Sequence, residues 1–271
     1  MRVLLSVLAL AGALAACNGE REPEPRPTAS PTQSPTPTAT PSAPAISSGA
    51  RAVAEETDDF LFEYSYPVEA GRIAELATLL DIWLEQRREE LARESVEARR
   101  DARADGFPYN KHSYTAEWKV VAELPGWLSL SADIATYTGG AHGNYTVDAM
   151  VWDKEAEKAI DGVELFASPA ALEEALADEF CEALDRQREE RREAPIPEGS
   201  DDTFDQCPEV EELEVLVGSS NRRTFNRLTL YAGPYVAGPY AEGAYEIDLP
   251  VDRAILAAVK PQYREAFSAR N

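Results

Sequence analysis

The sequence predicts an α+β fold: a largely antiparallel sheet with one long N-terminal helix and a second, central helix. Three observations carry this. Apolar residues recur at steps of three and four in two long stretches, near 70–105 and from 168 to Pro195, which is the period of a half-buried helix. Elsewhere they alternate with polar residues, and the alternating runs come in adjacent groups instead of being separated one by one by helices. Clusters of Gly, Pro, Asn and Asp punctuate those runs. With 271 residues, 44% of them hydrophobic, the chain can bury a sizeable core.

The first residues read as an export signal. Met1-Arg2 is a short positive start, and the apolar run Val3 to Ala13 is too short to span a hydrocarbon core of about 30 Å. It ends in Leu14-Ala15-Ala16-Cys17, which resembles the bacterial lipoprotein cleavage signal. The resemblance implies a signal peptide at 1–16 and lipid on Cys17. Asn18 is not the Asp that retains lipoproteins at the inner membrane, so the outer membrane is favoured. From Glu20 the chain is mostly Pro, Thr, Ser and Ala, with almost no large apolar residue before Ile46. Such a stretch cannot bury enough surface to offset its chain entropy, so 17–50 is expected to be a lipidated, disordered tether. The folded part, 51–271, is then expected in the cell envelope, facing the periplasm or exterior, with room for a sub-boundary near 155–165.

Within the folded part, 60–67 (FLFEYSYP) reads as a strand. A helix follows from Ala70 to Asp105, with Ile73, Leu76, Leu80 and Trp83 on one face and Gly106 and Pro108 as its stop. Its second half, with Leu91 and Val96 among alternating Arg and Glu, reads as a solvated face laced with ion pairs. Glu117–Leu124 is the next strand. Trp127–Thr138 and Asn144–Trp152 alternate cleanly and are joined by Gly139-Gly140-Ala141-His142-Gly143, a hairpin with a wide loop. Ser168-Pro169 opens the central helix as cap and first-turn proline. Leu172, Leu176, Phe180 and Leu184 form its stripe, with Cys181 beside it. Residues 195–209 read as an exposed acidic loop carrying Cys207. Strands at 212–217, 224–231 and 244–249 and short helices near 251–258 and 261–268 complete the chain.

Setting Cys17 aside leaves Cys181 and Cys207, an even pair in an oxidising compartment, and a disulfide is expected. Closing that loop restricts the unfolded chain by about 3 kcal/mol. His112 and His142 are too few and too far apart for zinc, and no metal or cofactor is expected. The glycine cluster at 139–143 does not read as a phosphate loop, because a strand follows it, not a helix. Thr203-Phe204-Asp205 matches part of the metal motif of polysaccharide deacetylases, but Gln206 stands where a further Asp is needed. The net charge is −23. The first fifty residues carry equal numbers of each sign, so the excess lies in 51–271; that argues against nucleic acid and for a cationic partner.

Two segments resemble the extracytoplasmic domain of RsiV-like anti-sigma factors. One is Tyr137-Thr138-Gly139-Gly140-Ala141-His142-Gly143-Asn144-Tyr145, followed by an Asp153-Lys154 turn and Val163-Glu164-Leu165-Phe166. The other is Pro234 to Gly243, leading into Tyr245-Glu246-Ile247-Asp248-Leu249-Pro250. That domain of unknown function also occurs beside peptidoglycan deacetylase domains. In the anti-sigma branch it is a lysozyme receptor without catalysis of its own. The resemblance therefore implies a non-catalytic binding module for a protein or cell-wall ligand, lysozyme or peptidoglycan. It makes Gly139, Gly140, His142, Gly143, Tyr240 and Gly243 the candidate ligand loops, with the glycines at positive φ and Tyr240 packed beneath. With no transmembrane helix, sigma-binding segment or deacetylase domain in the chain, the signalling role does not carry over. The alternatives are an envelope glycan hydrolase using surface carboxylates, or a structural lipoprotein.

Overall fold

The computed structural model describes residues 49–270, which fall in one compact unit. The signal peptide, Cys17 and all but the last two residues of the tether lie outside the described residues.

The first sheet has six strands in chain order: β1 (Arg51–Glu56), β2 (Phe60–Tyr66), β3 (His112–Leu124), β4 (Trp127–Tyr137), β5 (Asn144–Asp153) and β6 (Lys158–Ile160). Every neighbouring pair is antiparallel except β2–β3. A parallel neighbour needs a crossover, and the helical segment between those strands supplies it. That segment is a single turn, α1 (Val68–Gly71), and the long helix α2 (Ala74–Asp105). Gly106 ends α2 at φ 76°, in the left-handed region that glycine adopts without a Cβ penalty. Ion pairs Arg88–Glu85, Arg87–Glu90 and Arg100–Glu97 run along its exposed side. No helix among the described residues is long and apolar enough to cross a membrane.

The second sheet is β7 (Glu214–Gly218), β8 (Arg227–Ala232) and β9 (Tyr245–Pro250), antiparallel throughout. The central helix α3 (Pro169–Arg192) begins where the sequence places it. Ser168 Oγ accepts from the amide of Ala171, and Pro169 occupies the first turn. A short helix α4 (Arg253–Ala258) and a 3₁₀ turn at Pro261–Ala266 close the chain.

Two cores result. One face of the first sheet, with Phe62, Tyr64, Trp118, Leu128, Leu130 and Trp152, packs on Leu76, Leu80 and Leu84 of α2. The other face contributes Ala122, Leu124, Val151 and Ile160 to a core shared with the second sheet and α3. One strand can serve both because β3 has a bulge between Val120 and Ala122. The extra residue flips the side-chain alternation, so Ala116 and Trp118 face α2 while Ala122 and Leu124 face the second sheet.

The structure departs from the sequence reading in several places. β1 and β6 were not expected, β3 begins at His112 and not at Glu117, and β8 begins at Arg227 and not at Thr224. The last helix is a 3₁₀ turn. Trp83 is only half-buried, and Leu84 takes the core position. The cysteine pair agrees with the sequence reading: Cys181 and Cys207 are disulfide-bonded, with Cα atoms 5.5 Å apart.

Candidate functional site

The two glycine-rich segments, far apart in sequence, meet. The imidazole of His142 stacks on the ring of Tyr240 with centroids 4.1 Å apart. The Tyr240 hydroxyl donates to the carbonyl of Gly143 at 2.8 Å, and His142 Nδ1 lies 2.8 Å from the same oxygen. A carbonyl only accepts, so Nδ1 carries the proton in that contact. The Tyr240 hydroxyl and His142 Nδ1 are thus both spent on shaping the loop.

The glycines have two different reasons. Gly139, Gly140 and Gly243 sit at φ 93°, 91° and 76°, as expected. Gly143 does not, contrary to expectation. A Cβ there would lie 2.7 Å from the carbonyl oxygen of Thr136, so close approach to β4 is what excludes a side chain. The segment after the loop is strand β5, not a helix.

Around Tyr240 the structure gathers further rings that the sequence did not single out. Tyr235 lies 5.7 Å away, centroid to centroid, and Tyr145 lies 6.0 Å away, near edge-on. Tyr235 is 55% exposed and holds φ 71°, a left-handed conformation that is rare for a bulky residue. The amide of Tyr235 donates to the carbonyl of Gly238 at 3.0 Å, which fixes that turn. Tyr145 accepts from the amide of Ala244 through its hydroxyl at 3.2 Å. The ring faces and edges therefore form the surface presented to solvent.

Three arginines at the end of α3 hold the second segment in place. Arg188 has no exposed side chain; it donates to the carbonyls of Ala237, Asp205 and Gln206 and to the carboxylate of Asp185. Arg191 donates to the carbonyls of Glu242 and Ala244, and its guanidinium lies 3.9 Å above the ring of Tyr245. Arg192 bridges the carboxylates of Asp205 and Glu242. Spacing of 188, 191 and 192 puts all three on one helix side. That spacing was the available signal. The 195–209 loop is not wholly exposed, because Asp205 is drawn into this cluster and Cys207 is tied to α3.

Partial burial opposes ionisation of Glu242. Hydrogen bonds from Arg192 and Tyr245 outweigh it and hold its carboxyl below the usual range. Glu242, two residues from Tyr240, is thus a fixed anion committed to the scaffold. Among the described residues no group of three or more His, Cys, Asp or Glu is arranged to hold a metal.

Residues 53–145 match the family model described as Deacetylase PdaC. That span covers most of the first sheet, α2 and the loop at 139–143, and stops before α3, the second sheet and the loop at 234–243. The search of curated proteins finds no match. Two solved structures are similar. One is a DUF3298 family protein from Pseudomonas aeruginosa PAO1, at 17% identity and a TM-score of 0.46, with 82% of this chain and 97% of that one covered. The other is a DUF3298 family member from Bacteroides fragilis NCTC 9343, at 14% identity and a TM-score of 0.39, covering 74% and 88%.

Proposed function

We propose that the chain is a cell-envelope lipoprotein, anchored through Cys17, whose folded domain is a non-catalytic binding module for a basic protein such as lysozyme. Peptidoglycan is the alternative ligand. The observation that carries this is the aromatic cluster of Tyr235, Tyr240, Tyr145 and His142, whose Tyr235–Tyr240 segment is held by the α3 arginines. Exposed, pre-ordered aromatic rings give contact area at little entropic cost, which is the chemistry of interface anchors. The net charge of −23 supports a basic partner, since it steers cations toward the domain and raises the rate of encounter. The RsiV-like resemblance of the two loop segments supports the same ligand.

The test is a titration of the full chain, purified in mild detergent, with lysozyme, and in parallel its co-sedimentation with purified peptidoglycan. Saturable lysozyme binding that weakens as salt is raised is the expected result. Absence of binding to both at low ionic strength, with the protein folded, overturns the reading. The partial match to a family described as a deacetylase makes turnover of cell-wall glycan the competing reading. Acetate release measured in the peptidoglycan arm tests that directly.

A further inference from the structure

We propose that the cleft between α2 and the first sheet is a saccharide-binding groove. The proposal deepens the cell-wall branch of the function above and makes no use of the His142–Tyr240 loops.

The groove has a volume of about 420 Å³, within the size of small-ligand sites. Its depth has a local cause. Ala116 lies between Tyr114 and Trp118 on the same face of β3, and its methyl group leaves the space that a larger side chain would fill. Trp83 of α2 also lines the groove and stays half-buried; it packs on Trp118 with ring centroids 5.9 Å apart. Trp118 Nε1 donates to the Tyr64 hydroxyl at 2.9 Å, which fixes these two side chains of the wall.

The rim has a different chemistry. Arg87 and Glu90 pair at 2.9 Å on the α2 side, and Asp148 of β5 lines the other side. Asp148 makes no ion pair among the described residues. Partial desolvation at the rim raises its carboxyl above the ordinary range, with Arg87 opposing that rise and Asp161 adding to it.

Aromatic walls beneath a mixed rim of guanidinium and carboxylate match one class of small molecule. A pyranose ring has an apolar C–H face and a periphery of hydroxyls that both donate and accept. Ring faces of Trp83 and Tyr114 cover the first, and Arg87, Glu90 and Asp148 meet the second. An acyl chain would bury Asp148 without a partner and desolvate the Arg87–Glu90 pair, and a phosphorylated ligand would meet two carboxylates on a strongly anionic chain. By the alternation of β5, Tyr145 and Asp148 project to opposite faces, so groove and loop cluster are separately testable.

The experiment titrates the full-length protein with chitotetraose and, separately, cellotetraose, following tryptophan fluorescence and heat. Saturable binding of at least one sugar is expected; the comparison shows whether the N-acetyl group is read. Asp148→Ala and Arg87→Ala, both at exposed positions, are expected to weaken it about tenfold or more. Ala116→Leu, which fills the floor, is expected to abolish it. Arg186→Ala, on the exposed side of α3 and outside the groove lining, should leave it unchanged. Binding of neither sugar, or binding indifferent to both rim substitutions in folded protein, overturns the proposal. Loss of lysozyme binding with sugar binding retained would count against the loop surface alone.

Discussion

Arg188, with no exposed side-chain surface, donates from Nε to the backbone carbonyl of Ala237 at 3.0 Å, joining residues 49 positions apart. The same guanidinium reaches Gln206, the neighbour of the disulfide-bonded Cys207. One buried charge therefore ties three things together: the end of α3, the cross-linked loop, and the segment that carries Tyr235 and Tyr240. It gives a physical reason for a bulky tyrosine to persist at positive φ, since the backbone on its far side is held from α3.

Arg188→Met is expected to destabilise the domain by about 3–5 kcal/mol, because it leaves several buried carbonyls without donors. Arg188→Lys should not rescue it, since an ammonium cannot reproduce the forked geometry. Urea unfolding measures the loss, and faster amide exchange at Tyr235–Gly243 would locate it.

Reducing the Cys181–Cys207 bond, which closes a sequence separation of 26, should cost about 3 kcal/mol by relaxing the unfolded chain. Paired Cys→Ser substitution should match the effect of reductant in a thermal melt. A melt indifferent to reductant would contradict the bond.

Glu214 gives a pH signature. Burial, then the nearby charges of Asp148 and Asp161, push its carboxyl up to about 7, against the amide of Ala149. The folded state thus holds this proton where the unfolded chain has lost it. The stability it contributes is present below the unfolded value of 4.5 and is lost as pH rises through about 7. Glu214→Gln should flatten that part of the stability curve and stabilise the domain at neutral pH, by roughly 1 kcal/mol once solvent screening is allowed for. Denaturant midpoints across that range test the sign.

Tyr240→Phe removes the hydroxyl that binds the Gly143 carbonyl and should cost about 1 kcal/mol. Gly143→Ala should cost more, since its Cβ would meet Thr136 oxygen at 2.7 Å, a backbone atom that cannot swing aside. Chemical denaturation of the two variants side by side gives the order.

Much of the fold was legible in the sequence because burial enforced a period. The α3 stripe, the β4–β5 hairpin, the Ser168 cap and the Gly106 stop were all readable, and so was the cysteine pair. β1 was not, because Arg51–Glu56 is an edge strand with no buried side chain, and exposed edges carry no apolar alternation. The bulge in β3 hid that strand's two-sided role. The site was half legible. Its glycines and Tyr240 stood out as turn chemistry, yet their convergence depends on pairing over 97 residues. The α3 arginines passed unnoticed, since a basic helix end normally reads as a solvated partner of the helix dipole. Only the structure shows Arg188 fully enclosed.

Docking of a basic protein on the Tyr235–Tyr240 rings is tested most directly by calorimetric titration of lysozyme into the wild-type chain and into Tyr235→Ala at low ionic strength. Anchor behaviour predicts saturable wild-type binding that weakens about tenfold or more in the variant while its melting curve stays unchanged. Equal affinities for the two proteins, or no heat from either, would contradict it.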